Sequence, residues 1–298
     1  MRRRVENNAC EIVDAYLLRD QIVTFEYILN DLADCIKNSR FPTKILLNKI
    51  SDLSEYREDL LKKIGTVTTR IKNFGNNVSK LPEGVVKYIY VTGKKNTFDK
   101  IDQLNKGLDK KQTKADLYVE YDNDNVIGWS CKQSINATKS NYSVHKMLSK
   151  SESDQLNFYK KEVLNFNGFP KFIKSDRADV NKLFYPNTNN KYFEELKKSI
   201  QNNNCTIKTI LVNSLYCIGL PYNLYEFDGD SIAEINVDIQ KNVNLEEHRD
   251  YYYTKEGKLR DAAKLFYKLS VGDKTYRVEL RWKGCIHNSS PQFMIHDS

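Results

Sequence analysis

The chain has 298 residues, 40% of them hydrophobic, with a formal net charge of +8. That length and apolar content can bury a substantial core and exclude a disordered chain, and no apolar run reaches the length of a membrane span. The charge permits a polyanionic partner without requiring one, and Cys10, Cys35, Cys131, Cys205, Cys217 and Cys285 stand singly, with no CxxC pair of the kind a zinc site uses.

The first residues, MRRRVENNACEIVD, carry basic side chains but no apolar stretch after them and no small-residue cleavage site. No secretory signal is expected, and a cytoplasmic protein is (bacterial cytoplasm, or the interior of an infected cell). Residues 9 to 37 have a helical stripe through Ile12, Val13, Tyr16, Leu17, Ile22, Val23, Ile28, Leu29 and Leu32, which predicts one or two amphipathic helices ended by FPT at 41 to 43. A second helical region is expected over roughly 44 to 64. The polar segment 65 to 84, with NFGNN and LPEG, predicts loops, a short helix and a boundary. The expected division is therefore a helical N-terminal region, 1 to 84, and a core, 85 to 298, with a C-terminal strand extension.

The core opens with VVKYIYVT, 85 to 92, of strand composition. A polar stretch with a short helix follows, then strands at 115 to 121 and 126 to 132 joined by the turn DNDN. After a polar loop, helices are expected in the second half of 133 to 166 and over 191 to 202, while TIKTILVNSLY fits either helix or strand. KLFYKLSV and KTYRVELRWKG flank GD and predict a hairpin, and QFMIH predicts a last strand. Helices and strands mix without regular alternation. The expected class is α/β or α+β, a central mixed β-sheet flanked by helices.

The stretch KADLYVEYDNDNVIGWSCKQS, 114 to 134, carries the chemistry. Alternation puts Asp116, Tyr118 and Glu120 on one strand face, and Gly128, Ser130 and Lys132 on one face of the next. Pairing through the turn brings Asp116 near Ser130 and Lys132. A carboxylate there suits a divalent cation bound through oxygen, and a lysine beside it can orient water or meet charge on a phosphate.

This D-x13-S-x-K pattern resembles the PD-(D/E)xK nuclease superfamily, and especially its type II restriction endonucleases. The resemblance implies a restriction-endonuclease-like core, a Mg²⁺-dependent endodeoxyribonuclease and double-stranded DNA as partner, with no membrane. A symmetric duplex site would suit a homodimer. Carried over, Asp116 is the metal ligand, Lys132 the catalytic lysine and the main-chain carbonyl of Cys131 a third ligand. Two positions depart from the pattern: Ala115 stands where the family has proline, and Ser130 where it has an acid. Ser130 is then expected to shape the hairpin end or hold a water. Some members of the superfamily take that acid from another element, often a helix. Glu11 and Glu55 lead as candidates over Glu26 and Glu120, the last lying about 13 Å along the strand from Asp116.

The loop QSINATKSNYSVHK offers Lys139, Ser140, Asn141, His145 and Lys146 for contact with a nucleic-acid backbone. Near the end, Glu279, Arg281 and Lys283 share a strand face, so Arg281 and Lys283 can meet phosphates or base edges. The competing reading is a non-catalytic nucleic-acid-binding protein with a degenerate nuclease fold, Ser130 being the reason for its silence.

Overall fold

The computed structural model describes residues 2–93, 97–108, 113–133, 140–185, 188, 190–235, 242–260 and 262–297. The chain opens with α1 (Arg2–Asp20) and α2 (Phe25–Lys37); Gln21, at φ 61°, breaks the helix between them. The Thr24 hydroxyl then caps α2 by accepting from the Tyr27 N–H at 3.1 Å. Next come β1 (Ile45–Leu46), α3 (Ser51–Lys62), α4 (Ile64–Gly75), β2 (Val86–Val91), α5 (Asp99–Leu104), β3 (Leu117–Tyr121), β4 (Val126–Cys131) and β5 (Ser140–Ser143). Helices α6 (Lys150–Phe166), α7 (Arg177–Lys182), α8 (Lys191–Asn202) and α9 (Asn204–Tyr216) follow. The chain closes with β6 (Leu224–Phe227), β7 (Ile232–Glu234), β8 (Val243–Glu247), β9 (Lys264–Val271), β10 (Lys274–Trp282) and β11 (Pro291–Asp297).

Two compact units result: Met1–Ala137 with Tyr216–Asp238, and Thr138–Leu215 with Ile239–Ser298. The first holds a mixed six-stranded sheet in the order β1-β2-β3-β4-β6-β7. Strands β2, β3 and β4 form an antiparallel meander, and β6 pairs with β4 in parallel. The alternation of β3 and β4 decides what each face buries. Leu117, Val119, Ile127 and Trp129 join Ile12, Tyr16, Leu32, Tyr56, Leu60, Val67 and Phe74 of α1 to α4 in one apolar core. On the other face Tyr118 and Val126 pack with Tyr90, Ile101 and Tyr222. Each large buried side chain contributes about 1.5–3 kcal/mol, so both faces matter to the sheet's stability.

The boundary expected near residue 84 is not where the units part. Helices α1 to α4 are one wall of the core of the sheet that begins with β1 and β2, so 1–84 cannot be separated from it. Segment 65–84, read as loops and a short helix, is mostly α4. Its buried positions are Val67, Arg70 and Phe74, and the arginine among them hides the apolar stripe. Residues 45–46, placed in a helix by the sequence, pair in parallel with Ile89 and Tyr90 instead.

The second unit carries an antiparallel five-stranded sheet in the order β5-β11-β10-β9-β8. The β9–β10 hairpin turns at Gly272, whose φ of 57° is a conformation glycine adopts without steric cost. The C-terminal strands therefore build their own sheet and do not extend the first. TIKTILVNSLY lies in helix α9, where Asn204 Nδ2 donates to the Leu245 carbonyl of β8 at 3.1 Å. Among the described residues, no helix is long and apolar enough to cross a membrane.

Candidate active site

The edge of the first sheet where β3 begins and β4 and β6 end gathers ionisable side chains. The Asp116 N–H donates to the Trp129 carbonyl at 2.8 Å, so Asp116 lies beside the end of β4 just before β3 begins. The parallel register then pairs Ser130 with Glu226 of β6. Paired residues share a face, so Ser130 and Glu226 stand in a row on one face, with the Asp116 carboxylate against the Cys131 N–H and Lys132 just beyond the end of β4. Lys132 Nζ lies 3.7 Å from Glu226 Oε2. Tyr222 borders the row: a methyl group on Gly128 would come within 2.7 Å of its ring.

Electrostatics mark Asp116. Burial, the largest influence, pushes its carboxyl up to about 6. The Lys132 charge and the Cys131 N–H, which donates to Asp116 Oδ2 at 2.8 Å, oppose the rise, while Asp14 and Glu226 add to it. Ser130 lies in this row with no exposure, and its Oγ has no hydrogen-bond partner. A buried hydroxyl without a partner costs about 1–3 kcal/mol, so its retention between two carboxylate-bearing strands points to a ligand or water there.

A network on the opposite face holds these strand ends. Arg70 of α4 donates from Nε and Nη2 to the two carboxylate oxygens of Asp14 on α1, each at 2.6 Å. Its Nη1 donates to the Lys132 carbonyl at 2.7 Å and its Nη2 to the Phe227 carbonyl at 3.1 Å. Trp129 Nε1 donates to Asp14 at 2.8 Å. The guanidinium thus grips the carbonyl of the candidate lysine and that of the residue after Glu226, and both members of the pair are buried.

Of the other expected acids, Glu26 and Glu120 fall elsewhere, while Glu11 stays near Asp116: its charge acts on the Cys131 thiol, and Gly93 beside it follows the Thr92 whose N–H donates to the Asp116 carbonyl at 2.9 Å. Glu11 lies on the α1 side, where the Tyr56 hydroxyl donates to it at 3.4 Å and Gly93 packs against its carboxylate. Glu55 accepts from Asn8 at 3.4 Å on α3, and Glu26 sits in the first turn of α2. Glu120 belongs to a separate cluster. Burial alone would raise its pKa, but the Tyr90 hydroxyl at 2.6 Å and the Lys100 and Lys87 ammonium groups, each at 3.0 Å, hold it at about 2. Cys131 turns its side chain toward the helices, and burial raises its thiol well above the ordinary value. Its own N–H is the one that donates to Asp116, so its carbonyl lies in the same residue.

Glu226, Asp14 and Arg70 escaped the sequence reading. The signal for Glu226 was LYEF, a short alternating run whose carboxylate falls on one face, but nothing local says which strand β6 joins.

The Asp116 and Glu226 carboxylates, at the ends of the strands that flank β4, and the Ser130 hydroxyl offer oxygen ligands of the kind a hard cation such as Mg²⁺ takes, with the Lys132 ammonium beside Glu226. Among the described residues no group of three His, Cys, Asp or Glu side chains could hold a metal ion. An ion on such a set would keep water and phosphate oxygens as its remaining ligands.

The expected backbone contacts belong to the second unit. Asn141 and Lys146 are exposed there, and Ser140 pairs through its backbone with Ile295. Lys139 lies outside the described residues. His145 is half-buried; burial first, then the Lys160 charge, pushes its pKa down to about 4, so it is neutral at pH 7. Lys283 is exposed just past β10, and Arg281 Nε approaches Met294 Sδ at 2.8 Å. Comparison of the chain with family models, with curated proteins and with solved structures finds no match in any of the three.

Proposed function

We propose that the chain is a Mg²⁺-dependent endonuclease that hydrolyses phosphodiester bonds in double-stranded DNA, built on a PD-(D/E)xK-like core and acting as a site-specific restriction enzyme. One observation carries the reading: at the end of β4, Asp116 accepts from the Cys131 N–H, Ser130 pairs with Glu226 of β6, and Lys132 lies 3.7 Å from Glu226. Asp116 precedes one core strand and Ser130-x-Lys132 ends the next, as the resemblance requires. The acid missing at 130 is supplied by Glu226 from the neighbouring strand.

In this reading Asp116 and Glu226 hold the cation, which when bound polarises a phosphoryl oxygen and acidifies water. The Lys132 ammonium, 3.7 Å from Glu226, would orient the attacking water and meet the charge that grows on the phosphoryl oxygens. Ser130 Oγ bonds a water of the site. Arg70 keeps the Lys132 carbonyl fixed, so the lysine pivots from a rigid strand end.

A second reading, a nucleic-acid-binding protein without catalysis, draws on the 3.7 Å approach of Lys132 to Glu226, which an incoming cation has to disrupt. Incubating the purified protein with unmethylated plasmid in Mg²⁺ and in EDTA, beside Lys132→Ala and Glu226→Gln, separates the two. Discrete fragments that need Mg²⁺, Lys132 and Glu226 support the restriction reading. A smear with the same dependence keeps the nuclease and removes site specificity. Intact DNA in every lane removes the nuclease.

A further inference from the structure

The sheet of the second unit sorts its side chains by face. Leu265, Tyr267, Leu269, Val278, Leu280, Phe293 and Ile295 point one way and are buried. Trp282, on that side, packs 5.2 Å from Phe184 and 5.5 Å from Tyr192 of α8. The other face is cationic. Across β9, β10 and β11 the register aligns Lys264, Arg281 and Gln292 in one row, and Lys268, Arg277 and His296 in another. Between the rows runs Phe266, Glu279, Met294.

Glu279 organises this face. It is buried, with Lys264 Nζ at 2.8 Å, Arg277 Nη2 at 3.6 Å and Arg281 Nε at 3.8 Å. A single carboxylate cannot neutralise three cations. Lys268 adds a fourth, and across the strand pair from it stands one more carboxylate, Glu246. Positive charge is therefore left over on a flat surface. Arg277 Nε and Gln292 Oε1 are buried there without hydrogen-bond partners, although the Arg277 side chain as a whole keeps 39% of its surface. The Arg277 donor calls for a partner that brings an acceptor, which an anion supplies.

We propose that this face binds the phosphate backbone of duplex DNA, through Lys264, Lys268, Arg277 and Arg281. Charge complementarity selects a polyanion, and the two rows, about 13 Å apart by strand rise, suit an extended partner. The ring on the face favours a duplex over a single strand. Phe266 is only 3% exposed, with the Tyr252 ring 5.1 Å from it, so it presents no platform on which bases could stack. The inference does not depend on the chemistry proposed for the first unit, since it concerns binding that needs no metal.

The test is fluorescence anisotropy of the full chain in EDTA, with a labelled duplex and with one of its single strands, over a salt series. Lys268→Ala and Arg277→Gln are each expected to weaken duplex binding about fivefold, and together to flatten the slope of log K against log salt by about 2. Lys268 bears no load on Glu279, so Lys268→Ala serves as the variant least able to harm the fold. Duplex affinity and salt slope unchanged in these variants would overturn the proposal. So would tighter binding of the single strand. If the plasmid stays intact in Mg²⁺ while the duplex binds in EDTA and the variants weaken it, this proposal stands and the nuclease falls. Cleavage with binding indifferent to the variants gives the reverse.

Discussion

Replacing Asp116 by asparagine should stabilise the first unit while removing its activity. An ordinary aspartate has a pKa near 3.8, and burial here raises it to about 6. At about 1.36 kcal/mol per unit, ionised Asp116 costs the fold on the order of 3 kcal/mol, an upper figure for a half-buried group. The sign follows from proton counting. Between about pH 4 and 6 the native state binds more protons than the unfolded one, so stability falls as pH rises through that window. The whole cost is present above pH 6 and absent below pH 4. Asparagine removes it and keeps an oxygen for the Cys131 N–H, which now donates to Asp116 at 2.8 Å. Urea unfolding followed by Trp129 fluorescence, in a Trp282→Phe background that silences the second unit, reports the first unit alone. A gain of about 1–3 kcal/mol at pH 7.5 and none at pH 4 is expected, with Mg²⁺ narrowing the gap by stabilising only the wild type. An equal gain at both pH values, or a loss at pH 7.5, would refute the burial argument.

Cleavage should carry the same carboxylate. At low Mg²⁺ the rate should fall about tenfold per pH unit below 6, as Asp116 takes up its proton, and added Mg²⁺ should move the midpoint to lower pH. A rate flat from pH 5 to 8 would exclude Asp116 as a ligand. Lys132→Ala and Glu226→Gln should each reduce cleavage at least a hundredfold while duplex binding in EDTA stays within about threefold, as plasmid and anisotropy assays would read. Arg70→Met strands the Asp14 carboxylate, which Arg70 now holds at 2.6 Å, and should cost about 3–5 kcal/mol by urea unfolding. A loss under about 1 kcal/mol would show that this pair does not anchor the strand ends. Gly128→Ala places a methyl 2.7 Å from the Tyr222 ring and 2.9 Å from Leu224, so about 1–3 kcal/mol of strain and a displaced Tyr222 should follow. Unchanged stability would mean that the ring has room to move.

The sequence by itself determined what local periodicity and turn chemistry control. Alternation and the DNDN turn found the β3–β4 pairing and set which side chains of the two strands share a face, because successive side chains must point to opposite sides of a strand. The same rule found the β9–β10 hairpin and the shared face of Glu279 and Arg281. What it could not reach were contacts between distant segments. Glu226 meets Ser130 through a parallel pairing whose intervening chain includes most of the second unit's helices, and no spacing encodes that register. Arg70 looked like a surface residue of a polar segment. It is buried because Asp14 and two strand-end carbonyls await it 56 or more residues away in sequence. The division into two units was hidden for the same reason. Each is assembled from two stretches of chain, and only the packed core decides which stretches belong together.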